Sequence, residues 1–286
     1  MSYRKRLDRA FENAPVLPIT NQTKYVFFSD CHRGAGTNND NFLKNSNSYA
    51  AALQYYYQYG FCYVEVGDGD ELWENKQLSQ ILEIHEDVFC KLRDFQRQNR
   101  LYMLYGNHDM VKKKTEPLWE SFACYEGLLL QSIHPAIDLR ITHGHQADLL
   151  NSVFWRLARF LVRYLWTPLE SLGFLDPTSA AKNNRKGGRL TQKYITYATE
   201  RDCLLMTGHT HKPALCTRHS PYCNCGSCVH PRCITCIELC GYEISLVKWH
   251  ICAEKSGHFG NIYAKCPPAF PVYVKREVLQ AESLIS

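Results

Sequence analysis

Residues 61–70 read FCYVEVGDGD, a mostly apolar run followed by two carboxylates, with a glycine before each of them. Runs of this length that are rich in β-branched and aromatic residues are typical of buried strands. The same plan, in which an apolar stretch stops abruptly at polar side chains, recurs four more times. These runs are KYVFFSDCH (24–32), RLYMLYGNHD (100–109), DLRITHGHQ (138–146) and CLLMTGHTH (203–211). The chain therefore predicts five strands with polar ends.

Helical patterns lie between the predicted strands. Residues 46–59 form one, and residues 76–98 form another, in which apolar side chains recur at every third or fourth position. This alternation predicts a layered α/β fold, with β-sheets flanked by helices and much parallel pairing. Residues 149–199, between the fourth and fifth runs, predict a helical cap insertion. The core then comprises residues 1–148 and 200–286.

Potential metal ligands stand at the end of each predicted strand. Ligands gather beyond the carboxyl ends of the strands in α/β sheets, so these side chains are expected to meet. The mixture of carboxylate, imidazole and amide donors suits divalent Mn, Fe, Zn or Ni better than a thiolate site would. The seven candidate ligands are Asp30, His32, Asp68, Asn107, His143, His209 and His211. Seven donors are about right for two ions, with one carboxylate shared between them.

The ordered blocks DCH, GDGDE, GNHD, HGH and GHTH resemble those of the calcineurin-like metallophosphoesterases over about residues 24–212. The resemblance implies the layered metallophosphoesterase fold, two divalent ions with manganese the first expectation, and hydrolysis of a phosphoester. It also implies how the ligands divide. Asp30, His32, Asp68 and His211 would hold one ion, and Asp68, Asn107, His143 and His209 would hold the other.

Three further residues beside these ligands are candidates for catalysis or substrate binding. His108 follows a ligand directly, and the resemblance implies that it stabilises the phosphoryl group or protonates the leaving oxygen, oriented by Glu71. Arg33 has two readings of equal weight, a bidentate grip on a substrate phosphate or an ion pair with a neighbouring acid. Asp109 and Asp148 are expected to hydrogen-bond to ligands and to the backbone.

The segment GDGDELW (67–73) also resembles the GD-x-x-E-x-W block of UDP-2,3-diacylglucosamine hydrolases, which carry a helical cap at the corresponding place. This resemblance implies hydrolysis of a pyrophosphate in a nucleotide-linked lipid or another amphiphilic anion. One departure is that His108 stands where those hydrolases carry Arg, so the group nearest the leaving atom differs.

The predicted cap has the composition of an amphipathic basic helix. Arg156, Arg159 and Arg163 follow one another at helical spacing, and Arg159 is a candidate substrate contact. Phe154, Leu157, Leu161 and Leu165 line another face. Such a helix suits an anionic amphiphile or a membrane surface. The alternative is a cap helix that packs on the body and exposes its arginines to water.

Charge and hydropathy limit the partners. The chain has a net charge of +5, but residues 149–199 alone carry +6, so the remainder is close to neutral. This distribution predicts a local anionic partner, such as a small or lipid-linked phosphate, and disfavours general nucleic-acid binding. A nuclease or a nucleotide phosphodiesterase is the alternative enzyme. Because no secretory signal or long apolar run is evident, we expect a cytoplasmic protein with peripheral membrane contact through the cap.

The segment YCNCGSCVHPRCITCIELC (222–240) holds six of the 14 cysteines and two CxxC pairs. One interpretation is a β-hairpin that turns at Cys240-Gly241, with its cysteines as small buried residues. The other is a structural zinc or redox cluster. A non-catalytic zinc–cysteine binding module on an inactive body is the corresponding alternative function.

Overall fold

The computed structural model describes residues 1–37, 40–114, 122–162, 164, 184–253 and 272–285. The described chain forms two β-sheets with helices against their outer faces, which confirms the predicted layered α/β class. The strands are β1 (Val16–Pro18), β2 (Lys24–Phe28), β3 (Cys62–Val66), β4 (Leu101–Leu104), β5 (Cys124–Tyr125), β6 (Gly127–Ser132), β7 (Ile137–Thr142), β8 (Leu204–Thr207), β9 (Tyr222–Asn224), β10 (Cys233–Cys240), β11 (Glu243–Ala253) and β12 (Val272–Ser283).

The helices alternate with the strands over most of the described chain. They are α1 (Tyr3–Phe11), α2 (Ser46–Gln58), α3 (Leu78–Ile84), α4 (Glu86–Arg97), α5 (Leu149–Ser152), α6 (Trp155–Leu161) and α7 (Asn184–Glu200). The predicted helix over 46–59 is confirmed. The prediction of a single helix over 76–98 is wrong. The helix is interrupted at His85, between α3 and α4, and the buried His85 ring lies 3.0 Å from Asp40 Oδ2.

The two sheets have different strand orders but bring their carboxyl ends to one place. The seven-stranded sheet runs β12-β11-β10-β2-β3-β4-β5, and the five-stranded sheet runs β1-β6-β7-β8-β9. Strands β2, β3 and β4 are parallel neighbours, as are β7 and β8. All five predicted strands are therefore present, as β2, β3, β4, β7 and β8. The polar residues that follow them lie at the carboxyl ends of the two sheets.

One core cluster lies between the sheets. Phe27, Val64 and Val66 of the seven-stranded sheet pack in one cluster with Ile141 and Met206 of the five-stranded sheet. A second cluster covers the outer face of the seven-stranded sheet with α2, α3 and α4, and a third covers the five-stranded sheet with α1 and α7. Burial on both faces explains why the central strands read as nearly continuous apolar runs.

The predicted hairpin is present in the cysteine-rich part of the chain. Strands β10 and β11 pair antiparallel from Cys233↔His250 to Cys240↔Glu243. Gly241 in the turn has a φ of 59°, a left-handed conformation that glycine adopts without steric cost. On its other side β10 pairs with β2, so the hairpin extends the sheet that carries the first ligands.

The division into a core and a cap at residues 149–199 stays a prediction, and Arg163 and Leu165 lie outside the described residues. The second half of α7 does not stand apart from the core, since Tyr194 and Tyr197 pack with Leu205 on the five-stranded sheet. Within the described ranges, no helix has both the length and the apolar character needed to cross a membrane.

Candidate metal centre

The strand ends bring most of the predicted ligands together. His211 Nε2 lies 3.0 Å from Asp30 Oδ1 and 3.3 Å from His32 Nε2. On the other side of the site, His143 Nε2 lies 3.0 Å from Asp68 Oδ2. Asp68 stands between the two sides, with Oδ2 also 3.9 Å from His32 Nε2. The ligand division that the resemblance implied stays a prediction.

Three groups of side chains at this edge could hold an ion. One of them is His32, Glu71 and His108, and the other two consist of predicted ligands alone. In one, ligand atoms of Asp30, His32 and His211 all lie within 4.8 Å of one another. In the other, the same holds for Asp68, His143 and His209. Either group offers three donors around one point, which leaves positions for water or substrate.

Backbone strain is concentrated at the same residues. Five of the eight described non-glycine residues with positive φ are predicted ligands, with φ between 48° and 64°. These five are Asp30, His32, Asp68, His209 and His211. This conformation costs free energy in residues other than glycine and persists where the surrounding structure enforces it, commonly at functional sites. It turns each side chain away from the strand direction toward the shared space.

Glycines before the ligands allow the loops to approach each other closely. A Cβ atom at Gly106 would overlap Asp68 Oδ1, and one at Gly208 would overlap the side chains of Ser29 and Asp30. The glycines of GNHD and GHTH are therefore required by contact with ligands of neighbouring loops, and the blocks work as one interlocked unit.

The donors fit divalent ions because several are buried without hydrogen bonds. Among the described residues, Asn107 Oδ1 is inaccessible to water and has no hydrogen-bond partner. Asp30 Oδ1 and His143 Nε2 are also buried without an aligned hydrogen bond, and their polar contacts are those of 3.0 Å to His211 and Asp68 given above. Buried polar atoms are rarely left in that condition, because the loss of hydration costs roughly 1–3 kcal/mol each. A carboxylate oxygen, an amide oxygen and an imidazole nitrogen are donors that divalent transition metals accept.

The protonation of the site is also consistent with cation binding. Burial lowers the pKa of His143, but the carboxylates of Asp68 and Asp30 outweigh burial and raise that pKa to about 9. Burial raises the pKa of Asp68, yet the neighbouring His143 and His108 bring it far below its usual range. The carboxylates thus attract positive charge, which protons supply when no metal does.

His108 and Glu71 form the pair that the resemblance implied. Glu71 Oε1 accepts a hydrogen bond of 2.7 Å from His108 Nδ1. Burial lowers the pKa of His108, and the Glu71 and Asp68 carboxylates more than compensate, so the pKa is raised. The backbone N–H of His108 donates to Asp68 Oδ1 over 2.8 Å, which places the ring next to the metal centre.

Trp73 also belongs to this site, although no role was predicted for it from the sequence. Its ring stacks on His108 with centroids 4.1 Å apart and an interplanar angle of 17°. Its indole Nε1 donates to the backbone carbonyl of Asn107 over 2.7 Å. The tryptophan of the GDGDELW segment therefore contacts both the predicted ligand Asn107 and the predicted acid His108. Its place in that segment was the feature of the sequence that could have indicated this role.

Arg33 does not bind substrate in this structure, so that assignment is wrong. Its side chain is fully buried, with Nη1 and Nη2 donating to Glu65 over 2.7 and 2.9 Å and Nε donating to Asp70 over 2.7 Å. Every nitrogen of the guanidinium is occupied, so none can reach a phosphate. The alternative reading, an ion pair with neighbouring acids, is the observed one.

A buried ionic network supports the loops from below. Lys112 Nζ lies 2.6 Å from Asp70 Oδ2 and 3.1 Å from Asp109 Oδ2. Asp109 in turn accepts from the backbone N–H groups of Gly106 and Gly69 over 2.7 and 3.2 Å. The expectation that Asp109 bonds to the backbone is met, and the network ties the GDGDE loop to the GNHD loop.

Asp148 lies where the metal centre meets the predicted cap. Its Oδ2 is 3.5 Å from His209 Nε2 and accepts from Asn151 Nδ2 over 3.0 Å, while Oδ1 accepts from the backbone of Leu150. The Asp148 carboxylate therefore contacts the predicted ligand His209 and caps the N-terminus of α5.

The helices after Asp148 present apolar side chains to the surface of the described structure. Leu149, Val153, Phe154, Leu157, Phe160 and Tyr164 are between 50% and 58% exposed. Arg156 on α6 is exposed, and Arg159 is half-buried. The role of Arg159 as a substrate contact stays a prediction.

The cysteine-rich segment does not gather its sulfur atoms around one point. Among the described residues, the groups of three that could hold an ion contain no cysteine. Cys223, Cys225, Cys228 and Cys236 are buried in the apolar clusters, and burial raises the pKa of each thiol. The interpretation as small core residues accounts for these positions, whereas the zinc-cluster alternative finds no support in them.

No family model matches this chain, and no curated protein matches it either. Among solved structures, it is similar to vacuolar protein sorting 29 from Cryptosporidium parvum, at 14% identity and a TM-score of 0.38, over 90% of this chain and 98% of that one. Vps29 from Chaetomium thermophilum is similar at 9% identity and a TM-score of 0.43, over 92% and 98%. Similarity this low does not reveal an activity, so function depends on the side chains at the sheet edge.

Proposed function

We propose that this protein is a dinuclear metal-dependent phosphohydrolase that cleaves a phosphoester or pyrophosphate bond. The observation that carries the proposal is the two adjacent ligand groups Asp30–His32–His211 and Asp68–His143–His209, in which Asp68 Oδ2 lies 3.9 Å from His32 Nε2 and accepts from the backbone N–H of His108 through Oδ1. Asp30, His32, Asp68 and His211 would hold one ion, and Asp68, Asn107, His143 and His209 the other. Manganese is the proposed metal, with Fe, Zn or Ni as the other candidates.

When bound, two such ions activate a water molecule and neutralise charge on the phosphoryl oxygens. The chain supplies proton transfer and orientation. His108 is fixed through Nδ1 by Glu71 and by the stacked face of Trp73, so its Nε2 is the nitrogen available to a substrate. As water attacks phosphorus and the bond to the leaving oxygen breaks, Nε2 donates its proton to that oxygen.

The substrate that this surface supports best is an amphiphilic phosphate, such as a nucleotide-linked lipid. The apolar surface of α5 and α6 begins directly after Asp148, which contacts His209. A phosphate at the metal centre would therefore have room for an apolar substituent along these helices. The same exposed side chains, with the arginines of α6, make peripheral membrane contact part of this proposal. Nucleic acid is not a proposed partner.

The test combines metal analysis with a substrate panel. Purified protein, stripped with chelator and reloaded with Mn²⁺, should hold about two ions per chain. It should then hydrolyse at least one member of a panel of phosphomonoesters, phosphodiesters, nucleotides and UDP-linked lipids, and chelator should abolish that activity. Two bound ions with no hydrolysis of any member would refute the enzymatic proposal. One zinc ion that is lost when the cysteines of 222–240 are alkylated would favour the binding-module alternative.

The substrate class has its own test in Arg159→Ala. If the cap surface holds an amphiphilic anion, KM for a UDP-linked lipid should rise, while KM for a small aryl phosphodiester should not change. The exposed Arg218→Ala, between β8 and β9, is the matched control. Equal effects of Arg159→Ala on both substrates would assign it a structural role.

A further inference from the structure

Glu71 contacts two imidazoles with separate oxygens. Besides the bond from His108 Nδ1 to Oε1, His32 Nδ1 donates to Oε2 over 2.7 Å. The carboxylate is buried, and Oε1 also accepts from the backbone N–H of Trp73 over 3.2 Å. The rings of His32 and His108 meet edge to face on either side of it, with centroids 4.7 Å apart and planes at 85°.

This arrangement determines where the protons of both rings lie. An ionised carboxylate only accepts hydrogen bonds, so each Nδ1 that it contacts must carry a proton. A neutral imidazole with a proton on Nδ1 has its lone pair on Nε2. For His32 that lone pair lies at the proposed metal position, 3.3 Å from His211 Nε2 and 3.7 Å from Asp30 Oδ1.

For His108 the same contact has a different result. With Nδ1 engaged by Glu71, Nε2 is left as the atom that can carry a second proton toward a substrate. A single carboxylate thus fixes the tautomer of one ring that would bind metal and the orientation of one ring that would deliver a proton. Hydrogen-bond partners of metal-bound imidazoles commonly set ligand orientation and basicity in this way.

We propose that Glu71 is a positioning residue that couples metal binding at the Asp30–His32–His211 group to proton delivery by His108. The metal-binding half depends on the geometry alone, and the catalytic half rests on the proposed function. In this role Glu71 acts through the two rings and not as a ligand. A protonated Nδ1 on His32 in the zinc-loaded protein distinguishes this role from an ion held directly by His32, Glu71 and His108. The role of Glu71 is to hold a proton on Nδ1 of both rings at once.

The variant that separates the two contacts is Glu71→Gln. An amide has one acceptor oxygen and one NH₂ donor, so it can accept from only one Nδ1. The other ring must turn its lone pair toward the amide and move its proton to Nε2. Expected results are a loss of about 10–100-fold in affinity for one ion, the usual effect of removing such a partner, and normal affinity for the second ion.

The measurements are Zn²⁺ titration by calorimetry and ¹⁵N imidazole spectra of the metal-free and zinc-loaded protein. Glu83→Gln, which removes the same charge from the exposed face of α3, is the matched control and should behave as wild type. In wild type, both His32 and His108 should show a protonated Nδ1. The ¹⁵N signals of His108 are identified by their absence from the spectrum of His108→Ala. In Glu71→Gln, one of the two should not.

The outcomes are separable from those of the activity tests. Wild-type affinity for both ions in Glu71→Gln, or a wild-type His32 ring protonated only at Nε2, overturns the positioning role even if the enzyme is active. The spectrum of the wild-type protein remains decisive if Glu71→Gln does not fold. Loss of one ion in Glu71→Gln, with no hydrolysis by wild type, retains the metal-binding half and refutes the proposed function.

Discussion

The ends of strands β2, β3, β4, β7 and β8 and the segment 222–240 both concentrate metal-binding residue types. Among the described residues, the strand ends bring three ligand atoms together and the segment does not. At the strand ends, donors from distant parts of the chain converge, and some remain buried without hydrogen bonds. In the cysteine-rich segment, residues close in sequence point to different places. Cys236 is in the apolar core and Cys233 is half-exposed three residues earlier on the same strand.

The difference shows that convergence matters more than density of ligands in the sequence. Alternation along a strand sends residues three apart to opposite faces, so a CxxC pair within β10 cannot direct both sulfurs to one ion. A CxxC pair chelates when it lies on a tight turn instead. Single donors that follow separate parallel strands, in contrast, are brought together by the sheet itself.

The sharpest test of this comparison is Asp68→Ala. Because Asp68 lies between the two ligand groups, its loss should remove both ions and reduce phosphatase activity to background. Metal content by mass spectrometry and turnover of an aryl phosphodiester check this, with the exposed Asp87→Ala on α4 as control. Full activity with two ions still bound would end the two-metal proposal.

The next largest effect is expected for His108→Ala. The variant should keep both ions, because the backbone N–H of His108, and not its ring, contacts Asp68. Loss of the proton donor should slow an alkyl phosphate ester by about 10²–10⁴-fold and a nitrophenyl ester far less, since nitrophenolate departs without a proton. Rates on both esters and metal content are compared with those of the exposed His219→Ala. Equal slowing of both esters would contradict the role as an acid.

Arg33→Met should affect stability and leave substrate binding unchanged. Removing the guanidinium leaves Glu65 buried without its ion-pair partner, while Asp70 keeps Lys112, and breaking such a buried pair costs about 3–5 kcal/mol. The free energy of unfolding in urea is the measurement, and Arg97→Met on the exposed side of α4 should stay within about 0.5 kcal/mol of wild type. Normal stability with a raised KM would restore the phosphate-binding interpretation.

The smallest effect is expected within the cysteine-rich segment. Cys236→Ala removes one buried sulfur from the core and should cost about 1 kcal/mol of unfolding free energy, with no change in metal content or activity. Cys233→Ala, at the half-exposed position of the same CxxC pair, should cost less. Loss of a bound zinc in both variants would show that the segment 222–240 binds metal and would contradict its interpretation as part of the apolar core.

The sequence predicted the five strands well because strands depend on local patterns, and the candidate ligands follow them, although their binding of metal stays a prediction. An apolar run fixes a buried strand, and the residue after it is placed by the end of that strand, as for Asp30 and His143. It also predicted the Glu71–His108 pair, through the resemblance. The second contact of Glu71, with His32, could not be read from spacing, because it depends on how two loops lie against each other.

Arg33 illustrates the main limit. An arginine next to two ligands has the same appearance in sequence whether it faces substrate or the interior, and the acids that decide the matter are distant along the chain. Glu65 lies inside an apolar strand, where an unpaired carboxylate would be costly. That anomaly was the available signal for a buried ion pair. The interruption of the helix at His85 could not be predicted for the same reason, because its partner Asp40 is distant in the sequence.

The pairing of β2 with β10 has a consequence for how the protein is made. The strand that precedes Asp30 leaves the ribosome well before its neighbour β10, which is synthesised only after His209 and His211. Contacts between such distant segments form late in folding. A nascent chain therefore displays its first carboxylate and imidazole long before the remaining donors exist. Loading with the two proposed ions should therefore follow the synthesis of β10, so metal supply acts on the folded site and not on the nascent chain.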